Sequence, residues 1–75
     1  MNQTKINQVI HIVQRATKNF EVDENSSMEN TEGWDSLAYL VIVQELEDTF
    51  RLVLSPKNIN SFGSVKEIVE NLNEM

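Results

Sequence analysis

The 75 residues contain no cysteine, so neither a disulfide nor a thiolate metal site can brace the fold. Nothing in the sequence therefore ties the chain to an oxidising compartment. Any thiol on the working protein would have to be added from outside. Glycine occurs only at Gly33 and Gly63, which excludes a glycine-rich phosphate loop. Proline occurs once, at Pro56. No apolar run is long enough for a signal peptide or a membrane span, so a cytoplasmic location is expected. Histidine also occurs once, at His11, and a serine or metal centre would need partners that are missing. Paired carboxylates are plentiful, but none lies in an apolar setting that would separate two pKa values. These absences argue against an enzyme.

Basic residues are scarce, and their distribution is uneven. The net charge is −6, and between Lys18 and Arg51 there is no basic residue at all. That stretch holds Glu21, Asp23, Glu24, Glu29, Glu32, Asp35, Glu45, Glu47 and Asp48, nine of the twelve acids; it carries −9 against +3 for the rest. A nucleic-acid binder needs a basic stripe for phosphate contacts, so nucleic acid is excluded as a partner. A one-signed field of this kind suits either a solvated surface or docking to basic partners.

What is present reads as helix. Ile6, Val9, Ile10, Val13 and Ala16 repeat at helical spacing, which predicts a first helix over 4–19, started by Thr4 and ended near Arg15 and Lys18. His11 falls at the edge of that face, as a surface residue. The polar stretch "EVDENSSMENTEGW" has no period and reads as a long loop anchored by Val22, Met28 and Trp34. Its start resembles a calcium loop, but Met28 stands where a turn glycine is needed and Trp34 where a bidentate glutamate is needed.

A second helix is predicted over 36–50, with Tyr39, Ile42, Val43, Leu46 and Phe50 facing the core. Leu37, Val41, Gln44, Glu45 and Asp48 share another face, and its apolar start at Leu37, Ala38 and Val41 suggests contact with a partner. Ser55 and Pro56 open a short third helix. Ser64 and Glu67 form a capping box for a final helix to about Asn73, whose Val65, Ile68, Val69 and Leu72 face inward. The expectation is an all-α four-helix bundle in one domain, with three longer helices, a short third helix and a long loop between the first two. A chain of this size buries only about 60% of its unfolded surface, so its stability should be roughly 3–5 kcal/mol.

Ser36 stands at the mouth of the second helix, directly after Asp35. Either side chain could cap the helix. The exposed amides of a helix start also favour a phosphate. The stretch "GWDSLAYLVIVQELEDTF" resembles the acyl carrier and peptidyl carrier proteins, whose Asp-Ser-Leu step opens the second of four helices after a long loop. "LSPKNINSFGSVKEIVENL" is similar to their short third helix, break and fourth helix, so the resemblance covers nearly the whole chain.

The resemblance implies a non-enzymatic carrier. A phosphopantetheinyl transferase would attach 4′-phosphopantetheine from coenzyme A to Ser36, and the arm's thiol would hold an acyl or aminoacyl group as a thioester. Asp35 would orient the transferase complex, and Leu37 and Phe62 would flank the arm. Leu37, Val41, Glu45, Glu47 and Asp48 would meet acyl-loading and acyl-processing enzymes through their basic patches. The carrier would be a monomer, with no membrane partner and no metal. Ala38 and Val41 stand where fatty-acid carriers commonly have acids, and Trp34 is more like dedicated-pathway carriers, so a specialised biosynthetic pathway is expected. The alternative is a helical protein-docking module without a prosthetic group.

Overall fold

The computed structural model describes residues 3–54 and 62–73. Three helices are present among them: α1 (Gln3–Thr17), α2 (Ser36–Phe50) and α3 (Val65–Asn73). There is no strand among the described residues, only an isolated antiparallel bridge between Ser27 and Ser64. The fold is all-α. The short third helix expected at Ser55 and Pro56 lies outside the described residues.

Thr4 sits inside α1 and does not cap it, because the helix already includes Gln3. The helix ends at Thr17, two residues short of the expected end at 19. Lys18 turns left-handed at φ 56, and the Asn19 amide donates to the Gln14 carbonyl at 3.2 Å, which satisfies a carbonyl the last turn would leave open. Ile6, Val9, Ile12 and Val13 are buried, while Ile10 and Ala16 pack only at the margin. The buried arc takes in Ile12, which the sequence reading left out, because α1 contacts both α2 and α3. Thr17 is buried as well, and its hydroxyl donates to the Val13 carbonyl at 2.7 Å.

On α2 the buried residues are Ala38, Ile42, Val43 and Leu46, with Tyr39 and Phe50 at the margin. Ala38 therefore belongs to the core and not to the outward face expected for it. Residue size is compatible with the shift: a methyl is small enough to join the core cluster beside the start of the helix. On α3, Val65, Ile68, Val69 and Leu72 are all buried, as their spacing predicts. Ser64 Oγ accepts the Glu67 amide at 3.1 Å, the first half of the expected capping box, and donates to Glu67 Oε1 at 3.2 Å, so the two side chains meet directly.

Val22, Trp34, Leu54 and Phe62 complete the core from outside the helices. Met28 is an exception among the expected loop anchors. Its side chain is exposed, and the loop is held there by its backbone: the Met28 amide donates to Gly63 O at 2.9 Å and the Val65 amide to Ser26 O at 3.1 Å. These two bonds join the loop before α2 to the start of α3.

α2 ends at Arg51, which is left-handed at φ 53, and both Arg51 and Leu52 amides donate to the Glu47 carbonyl. A non-glycine residue pays roughly 1–2 kcal/mol for that conformation. Glycine avoids the strain but loses more chain entropy on folding, about 0.5–1 kcal/mol. Arg51 is exposed, so its side chain adds no core packing. Arg51→Gly is expected to raise stability by about 0.5–1 kcal/mol, read as a higher urea midpoint at unchanged slope. A lower midpoint would show that the arginine side chain is itself holding the helix end.

Candidate functional site

Three consecutive residues place Ser36. Gly33 has φ +90, and a Cβ built on it would stand 2.4 Å from the Thr17 carbonyl oxygen, so only glycine lets the loop pass this close to the end of α1. Trp34 is then buried at 4% exposure. Its Nε1–H has no acceptor among the described residues, a cost of about 1–3 kcal/mol. Burying an indole of 150–250 Å² contributes about 4–6 kcal/mol, so the ring holds the loop down despite the missing bond. Asp35 follows in extended conformation as the N-cap of α2, and its Oδ1 accepts the Ala38 amide at 2.9 Å.

Ser36 is the first residue of α2 and is exposed. The first bonds of the helix take the Ala38 amide to the Asp35 side chain and the Tyr39 amide to the Asp35 carbonyl. Among the described residues this leaves the Ser36 and Leu37 amides without a protein acceptor, beside an exposed hydroxyl. Such a helix start accommodates a phosphate diester on the serine oxygen: two free donors, the positive end of the dipole and no steric cover. The Asp35 carboxylate works against a second negative charge there, although its Oδ1 is turned to the Ala38 amide.

Ser36 also lines an open groove of about 430 Å³ together with Met28, Tyr39 and Leu40. Burial pushes the Tyr39 phenol above its ordinary pKa of 10.0. Leu37 is 74% exposed, Leu40 63% and Val41 45%. Sequence periodicity found Leu37 and Val41 but missed Leu40, which stands one turn after Ser36 on the same side.

The remaining expected site residues fall elsewhere. Phe62 is fully buried, so it offers no surface to an arm; it fills the core between the helices. Glu45 is turned toward α1, where it pairs with Arg15 at 2.8 Å. Glu47 Oε2 accepts the Leu54 amide at 3.0 Å and so anchors the segment after α2. Of the three acids expected to meet partners, only Asp48 is exposed. The Arg15–Glu45 pair is itself solvent-exposed and worth under about 1 kcal/mol, so a competing cation could open it.

His11 lines a different open groove with Thr4, Asn7, Gln8, Ile12, Arg15 and Thr49, and Ser36 is not part of it. The oxygens of the loop serve the loop: Asp23 Oδ1 accepts the Asn25 amide and Asn30 Oδ1 the Ser27 amide, each at 2.8 Å. Among the described residues no group of three or more His, Asp or Glu side chains could hold a metal ion, and no helix is long and apolar enough to cross a membrane.

Comparison with models of protein families, with curated proteins and with solved structures finds no match to this chain.

Proposed function

We propose that the chain is a carrier protein, modified on Ser36 by 4′-phosphopantetheine and handing a thioester-bound acyl or aminoacyl group from one enzyme to the next. The observation that carries this reading is Ser36 itself: an exposed hydroxyl at the first position of α2, beside two unbonded amides and above an open groove. Asp35 sets the helix start on which that geometry rests. Bound there through a phosphodiester, the arm supplies the thiol that the chain lacks. With no cysteine present, no second thiol competes for the cargo. In this reading a short helix after Ser55 completes a four-helix bundle, and the protein works as a cytoplasmic monomer in a specialised pathway.

The Ser36 oxygen would displace adenosine 3′,5′-bisphosphate from the pyrophosphate of coenzyme A. Among the described residues no side chain is hydrogen-bonded to that hydroxyl, so the transferase supplies the base. Leu37, Leu40 and Val41 would meet the partner enzymes. Of the acids on α2, Asp48 would contribute directly, and Glu45 only on leaving Arg15.

Incubation of the unmodified protein with coenzyme A and a broad-specificity phosphopantetheinyl transferase is expected to add one phosphopantetheine, weighed on the intact protein. Ser36→Ala is expected to add none. The exposed Leu37, Leu40 and Val41 also suit a docking module without a prosthetic group. A folded wild-type protein that takes up no arm would favour that second reading.

A further inference from the structure

We propose that the groove walled by Met28, Tyr39 and Leu40 is the bed in which the arm on Ser36 lies. This rests on the carrier reading and assigns to it residues that the sequence resemblance did not: Met28 and Leu40 take the place that Phe62, being buried, cannot fill.

Ser36, Tyr39 and Leu40 are spaced i, i+3, i+4, so they form one continuous strip along the first turn of α2. Met28 faces them from the loop, where the Met28–Gly63 and Val65–Ser26 backbone bonds hold its Cα against the start of α3. Among the described residues that line it there is a thioether, a branched aliphatic group and an aromatic ring, and no charged side chain. This suits the geminal dimethyl group and methylene segments of a pantetheine arm, and it is a poor match for a charged peptide.

The openness of the groove decides between occupants. Pockets that hold a free small molecule bury most of its surface, which this shallow groove does not do. A tethered occupant needs far less, because attachment to a lining residue gives it an effective concentration in about the millimolar range. Contacts too weak to capture a free ligand are then enough to populate the bound position. An unmodified groove leaves Met28 and Leu40 in water, and a modified one covers them.

The test uses protein modified on Ser36, with complete conversion checked by intact mass before any spectrum is recorded. Methyl NMR should show the Met28 and Leu40 methyls shifted between the unmodified and modified forms, with cross-relaxation to the geminal methyls of the arm. The methyls of Val53, exposed in the segment after α2, should not move. In Met28→Ser/Leu40→Ser, converted equally, the arm's methyl signals should collapse to their positions in free pantetheine. Both side chains are exposed, so the double variant is expected to keep the fold, which the spectrum itself reports. Full conversion with unmoved Met28 and Leu40 methyls, or arm signals unaffected by the double substitution, would overturn the groove assignment and leave the carrier reading standing. No conversion at all would overturn both.

Discussion

Phe62→Ala is expected to leave the protein largely unfolded at room temperature. Phe62 has no solvent exposure and is the largest of the fully buried side chains among the described residues. Truncating a buried phenylalanine costs about 3–5 kcal/mol, from lost transfer free energy and from the cavity left behind. A domain this small holds roughly 3–5 kcal/mol in total, so the loss matches the whole. Neighbouring side chains cannot easily close the gap, because Phe62 packs beside the start of α3, where the loop bonds to Gly63 and Val65 fix the backbone. Urea unfolding followed by circular dichroism should show little or no folded baseline for Phe62→Ala. Phe62→Leu, which keeps much of the volume, should still show a cooperative transition. If Phe62→Ala kept its stability and changed only the environment of the arm, Phe62 would be a surface residue and its assignment to the core would be wrong.

Gly33→Ala is the second substitution expected to do large damage, and it bears on function as well as stability. An alanine at φ +90 is strained by roughly 1–2 kcal/mol. Its Cβ would also meet the Thr17 carbonyl oxygen at 2.4 Å. That obstacle is backbone, at the end of α1, and cannot swing away like a side-chain tip. Relieving the overlap adds about 1–3 kcal/mol, so the expected total is roughly 2–5 kcal/mol. The cheapest relief is for the loop to lift from α1, and Trp34 and Asp35 must then move with it. The expected signature is a lowered urea midpoint and a red-shifted Trp34 emission in whatever fraction stays folded. Modification of Ser36 should slow by more than the unfolded fraction explains. Gly63→Ala is the control. Gly63 lacks a positive φ, and its added Cβ would stand at an ordinary 3.7 Å from Glu67 Oε1, so a change within about 0.5 kcal/mol is expected. Equal effects at the two glycines would mean that the contact with Thr17 does not constrain the loop.

Together these substitutions separate two layers of the site. In the carrier reading Ser36 would take the arm, while Gly33 and Trp34 hold Asp35 and Ser36 in place, through a close backbone approach and a buried ring. Arg15 and Glu45, 30 positions apart in the chain, show the same division from the other side. A carboxylate that would serve as a docking charge on an isolated helix is drawn toward α1 by a base on its last turn. The acidic surface that α2 presents is therefore smaller than its composition suggests, and the side next to Ser36 is apolar.

The sequence by itself determined what depends on neighbours within about four residues. The bounds of α2 follow from Asp35 as N-cap and an apolar period that runs to Phe50, and the start of α3 follows from the Ser64–Glu67 pair. Those interactions close inside one helical turn, so the order of residues is enough to specify them. The inward set Val65, Ile68, Val69 and Leu72 was legible for the same reason, since a short helix with one apolar stripe can bury only that stripe. Tertiary structure alone decided the edges of each face. Successive residues turn by about 100°, so Ile12, Ala38 and Leu40 lie at angles where neighbouring elements choose between burial and exposure. Ile12 and Ala38 went inside because they pack into the shared core cluster, and Leu40 stayed out, with no described element closing over it. Met28 and Phe62 changed places for a related reason. Loop residues have no period, and only the backbone bonds between 26–28 and 63–65 put the methionine at the surface beside Ser36 and the phenylalanine in the core.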